Sequence, residues 1–61
     1  MELIFEVRDA VEGFWARALG HAIFTQAETW AELRSSVLEV TMLHFEDSSE
    51  ELRSSIQLQH V

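Results

Sequence analysis

Histidines and carboxylates are the residues of this chain with the clearest potential for chemistry. His21, His44 and His60 are the candidate metal ligands besides the acids, and there is no cysteine to supply a thiolate. A zinc helix of the HExxH kind needs two histidines one turn apart, whereas these three are scattered singly. Glu6, Asp9 and Glu12 stand near one another and would have to converge at a strand end to hold the two divalent ions of a nuclease. Acids in a loop are more simply solvated. Ser35-Ser36, Ser48-Ser49 and Ser54-Ser55 have no base placed beside them by any motif, and there is no GxSxG, P-loop or dinucleotide fingerprint. The expectation is a protein that is not an enzyme, takes no cofactor, metal or small-molecule substrate, and works by binding.

Composition narrows what it binds. The 61 residues allow one domain, spanning 1–61 with no separate DNA-binding domain. A core that small seldom supplies more than about 3–5 kcal/mol, so without disulfides a homo-oligomer (dimer or higher) is expected. Eleven acids against four basic residues give a net charge of −7, which repels phosphate backbones and argues against direct nucleic-acid binding. The same charge would draw in a basic protein. At 48% hydrophobic the chain is too apolar for disorder, yet no run approaches the ~20 residues of a membrane span. Charges at Glu2, Glu6, Arg8 and Asp9 interrupt any signal-peptide core, so a cytoplasmic protein with no membrane contact is expected.

Period-two alternation marks the elements that must position these residues. From Glu2 to Arg8, Leu3, Phe5 and Val7 share one face and Ile4, Glu6 and Arg8 the other, a strand with one buried side. A polar connection, Asp9 to Gly13, leads to a second strand from Phe14 to Leu19. There Phe14, Ala16 and Ala18 look inward, and Trp15, Arg17 and Leu19 outward. A third short strand is expected at Ala22–Thr25, with either facing possible. Thr29-Trp30-Ala31-Glu32 matches a capping box. The helix it starts carries Trp30, Leu33, Val37, Val40, Thr41 and His44 on one stripe, with Leu38 and Phe45 beside it. Glu46 to Ser55 reads as a polar loop with room for one helical turn. Ile56 to Val61 alternates as a last strand.

The order β-β-β-α-β defines an α+β fold, one helix packed on a small, mostly antiparallel sheet. A spatial order 3-2-1-4, with the last strand beside the first, satisfies the pairing rules. The outer sheet face then presents Ile4, Trp15 and Leu19 with Glu2, Glu6, Arg8 and Arg17 around them. A tryptophan in an apolar centre with a charged rim is the composition of an interface hot spot. Ile4, Glu6, Trp15, Arg17 and Leu19 are the candidate partner-binding residues.

The stretch GFWARALGHAIFTQAETWAELRSSVLEVTMLHF, Gly13 to Phe45, resembles the central segment of small HicB-like proteins. The match rests on Gly13, Phe14, Ala16 and Gly20 of the strand and turn, then Thr25, Thr29, Glu32 and Leu33 at the helix start. Val11 stands where relatives often carry proline, and their Gly-Gly is reduced to Gly13. The resemblance implies a partial ribonuclease-H-like fold that lacks nuclease residues. It also implies an antitoxin of a type II toxin–antitoxin pair, neutralising a HicA-like toxin, a small basic ribonuclease. The alternative is a stand-alone interaction or oligomerisation module with a different partner.

Overall fold

The computed structural model describes residues 2–61. Four strands and two helices follow one another as β1 (Leu3–Ala10), β2 (Gly13–Ala18), β3 (Phe24–Ala27), α1 (Trp30–Phe45), α2 (Glu50–Ser54) and β4 (Ile56–His60). They form one four-stranded sheet in the order β3-β2-β1-β4. β2 lies antiparallel to β1 and to β3, while β4 lies parallel to β1. The α+β class and the expected 3-2-1-4 order are both present.

Alternation explains the burial. Leu3, Phe5 and Val7 of β1 and Ala16 and Ala18 of β2 face inward and are fully or nearly buried. α1 packs chiefly on β3 and β2. There the small Ala16 and Ala18 side chains let it approach, and it contributes Leu33 and Val37 to the core. Thr41 is buried on the same stripe, and its hydroxyl donates to the Val37 carbonyl at 2.7 Å, so no polar atom is orphaned.

The hairpin is tighter than the polar connection expected at Asp9–Gly13. β1 continues through Ala10, which pairs with Gly13, leaving Val11 and Glu12 as the turn. Among the described residues Glu46 is the one non-glycine with positive φ, so Gly13 at φ 133° supplies the left-handed step that closes the hairpin. A Cβ on Gly13 would collide with the Ala27 carbonyl oxygen and lie 2.7 Å from the Glu28 Cα. This glycine is required by both conformation and space.

Three further expectations are corrected. The third strand runs Phe24–Ala27 rather than Ala22–Thr25, because Ile23 drops into the core before the ladder begins. Pairing of Ala16 with Thr25 and Trp15 with Gln26 then settles its facing: Thr25 and Ala27 inward, Phe24 and Gln26 outward. At the helix ends, Trp30 is 38% exposed and His44 is exposed. Trp30 still packs edge-on against Phe14 of β2, with ring centroids 5.5 Å apart, so only part of its ring is open. The cap is as expected in its forward half, with the Glu32 N–H donating to Thr29 Oγ1 at 3.1 Å.

The polar stretch after α1 holds a second short helix. Ser49 caps it by accepting from the Leu52 N–H, and Leu52 is buried in the core.

Candidate functional site

Because α1 covers one side of the sheet, the other side is free, and register places its residues in rows. Glu6 pairs with Arg17 on one side and Gln59 on the other, and Arg17 pairs in turn with Phe24. Trp15 lies between Arg8 and Gln26. Ile4 stands opposite Gln57. The Leu19 N–H donates to the Ile4 carbonyl at 2.9 Å, which continues the β1–β2 register one step past the strand. Ile4, Glu6, Trp15, Arg17 and Leu19 therefore share one face.

Within that face the charges run through the middle as well as around the edge. Glu6 Oε1 accepts from Arg8 Nε at 3.0 Å and from Arg17 Nε at 3.3 Å. Arg8 above all, and then Arg17, hold the Glu6 carboxyl below the ordinary glutamate value of 4.5. Two guanidiniums on one carboxylate leave the centre of this face locally positive on an acidic molecule. The trio lies between the Ile4–Leu19 pair and an aromatic pair that includes a residue not anticipated from sequence. Trp15 stacks on Phe24 with ring centroids 5.7 Å apart and planes 29° from parallel. Phe24 is 60% exposed, more open than Leu19 at 45% on the same face. Its signal lay in the alternation of Phe24 and Gln26 against Thr25 and Ala27, two residues later than the expected strand.

The acids gather elsewhere. Glu12, Glu28 and Glu32 line a concavity of about 750 Å³ between the hairpin tip and the start of α1, with Phe14 and Ala27 at its base. Gln26 belongs both to this concavity and to the outer face, so the two surfaces are continuous.

The groups considered for chemistry are dispersed. Glu6 and Asp9 project from opposite faces of β1 and do not converge. His21 and His44 both pack edge-on against Phe45, at 5.4 and 4.9 Å between centroids. His60 sits at the other end, against Asp9, Phe14 and Trp30. Among the described residues no three His, Asp or Glu side chains are grouped to hold a metal ion. Ser49 and Ser55 cap the two ends of α2, and the Ser54 hydroxyl within it donates to the Glu50 carbonyl. Among the described residues no helix is long and apolar enough to cross a membrane.

The chain is 47% identical over 45 residues to a UPF0150 protein of Archaeoglobus fulgidus, a match covering 74% of this chain and 68% of that relative. No family model matches the chain. No solved structure matches it either.

Proposed function

The chain belongs to the UPF0150 family, and from that premise we propose that it is a HicB-like antitoxin that binds and neutralises a small basic, HicA-like RNA-cleaving toxin. Family membership supports a toxin–antitoxin role, in keeping with the resemblance carried by Gly13–Phe45. The observation that carries the reading is the Trp15–Phe24 stack, a half-buried tryptophan under an exposed phenylalanine, beside the Arg8–Glu6–Arg17 trio on the sheet face that α1 leaves bare. Rigid aromatics of this kind dominate binding energy at protein interfaces. The carboxylates of Glu12, Glu28 and Glu32 next to it speed the encounter with a basic partner. The protein acts by occupying a surface of the toxin, not by chemistry of its own, and does so in the cytoplasm as a homo-oligomer.

Co-expression with a basic HicA-like ribonuclease encoded beside this gene tests the proposal. Stable co-purification and relief of RNA cleavage are expected. Trp15→Ala and Phe24→Ala should each weaken the complex about tenfold or more while leaving the far-ultraviolet circular dichroism unchanged. If the pair neither co-purifies nor relieves cleavage, the antitoxin reading fails, and a stand-alone module with another partner takes its place.

A further inference from the structure

Two concavities of this chain carry opposite charge. The acids Glu12, Glu28 and Glu32 line the one at the hairpin tip. The other, of about 470 Å³, lies between α1 and β4, lined in part by Leu38, Ile56 and Leu58 and bordered by Arg34 and Arg53 against the single acid Glu50. Two of the four basic residues of a chain with net charge −7 therefore sit at this one place. Neither is neutralised there. Among the described residues the ion pairs draw on Arg8, Arg17 and His60, and Arg34 and Arg53 take part in none. For Arg34 the cause is local: its neighbours one turn away on α1 are Trp30, Ala31, Val37 and Leu38, none of them acidic.

The groove exists because one helix does not cover four strands. Strands lie ~4.8 Å apart, so the sheet is roughly 15–19 Å wide, whereas a helix with its side chains measures ~10 Å across. α1 packs chiefly on β3 and β2. At the far edge the short α2 brings Leu52 into the core but leaves Ile56 and Leu58 of β4 half-buried. On the α1 side of the groove Trp30, Arg34 and Leu38 follow one another at every fourth position, the kind of ridge against which a second helix packs. The strip over β4 beside α1 has the width of one more helix.

We propose that this groove docks an acidic amphipathic helix of a partner protein, laid alongside α1 with its apolar residues on Ile56 and Leu58 and its carboxylates on Arg34 and Arg53. Charge decides the occupant. Two unpaired guanidiniums flanking an apolar strip attract carboxylates and repel a basic segment, so this ligand differs in sign from the toxin. A second copy meeting groove to groove would set these arginines against their own equivalents. The cations of the outer face are already engaged, since Arg8 and Arg17 share Glu6. The groove lies on the helix-bearing side of the sheet and the Trp15–Phe24 stack on the bare side, so the acidic helix and the toxin are bound without competing. The proposal goes beyond the antitoxin reading and does not depend on it.

The probe is a synthetic peptide of two Glu-Leu-Ala-Glu-Leu-Leu-Glu repeats, acetylated and amidated, titrated into isotopically labelled protein. The amide signals of Arg34, Leu38 and Leu58 and the Trp30 indole signal should shift together, and the affinity should fall as added salt screens the ion pairs. Arg34→Glu/Arg53→Glu, a change at two exposed sites, should weaken binding about tenfold or more with unaltered circular dichroism. The same peptide with lysine in place of glutamate should pass over the wild type and bind this variant. Shifts that fall on Trp15 and Phe24 instead, equal affinity of wild type and variant, or no shift at about 1 mM peptide overturns the proposal. A free protein that sediments at twice 7.0 kDa, and a variant that does not, would give the groove to a second copy and overturn it as well. Toxin neutralisation is read separately by the co-expression, so either proposal can fail without the other.

Discussion

His60 Nε2 lies 2.8 Å from Asp9 Oδ1, joining β4 to β1 across 51 residues of sequence. The same ring meets Phe14 and Trp30 with centroids 5.6 and 5.4 Å away, so it ties two strands and the start of α1 into one cluster. The contact is largely exposed and contributes little by itself. His60→Ala should cost about 1 kcal/mol, mostly from lost aromatic packing. Asp9→Asn should cost less than half of that. Urea midpoints for the two variants give the ranking, and the reverse order would show that charge, not packing, holds the cluster.

Gly13 carries the sharpest conformational demand. Gly13→Ala puts a side chain at φ 133° and against Ala27 and Glu28. The strain alone is worth about 1–3 kcal/mol. Thermal denaturation should show a marked drop, with the damage concentrated in amide exchange of the β2–β3 ladder.

Glu46 presents the opposite opportunity. It ends α1 at φ 52°, where its N–H bonds to the Leu43 and Met42 carbonyls. Left-handed backbone costs a side-chain-bearing residue about 1–2 kcal/mol, and glycine avoids most of this. Glu46→Gly should therefore raise the denaturation midpoint by a measurable margin, and a lower midpoint would mean that the carboxylate itself is needed.

Glu6 sets an acid limit on the outer face. Its carboxyl is held below the ordinary value by Arg8 and then Arg17. The stability this contributes is present above the unfolded-chain value and is lost as pH falls through the lower, folded one. Urea titrations at pH 7 and pH 3 should find wild type ahead of Glu6→Gln at the first pH and the gap narrowed at the second. A gap that is unchanged as the pH falls would remove the ion trio as its source.

Much of this architecture was legible because period-two alternation survives in β1, β2 and β4 and because Thr29 and Glu32 mark where α1 begins. That was enough to put Ile4, Glu6, Trp15, Arg17 and Leu19 on one face. It was not enough for Phe24. Ala22-Ile23 looks like strand, but Ile23 is a core residue of the connection, and a shift of two residues left the facing of β3 undetermined. Leu52 was hidden in a polar run, although Ser49 followed by Glu50 and Glu51 is a cap with acids in the first turn. The Asp9–His60 contact had no local signal, since only the parallel register of β1 with β4 brings the two together.

That parallel register also dictates an order of events. β1 is one of the two inner strands, with one neighbour reached through a two-residue turn and the other only after both helices have been made. The hairpin can close within microseconds, whereas joining β4 to β1 requires a far larger loop to be organised first. A chain still emerging from the ribosome therefore holds β1 half-paired until residues 56–60 appear. Nascent or truncated copies ending short of β4 expose that bare strand to proteases and to other unfinished chains.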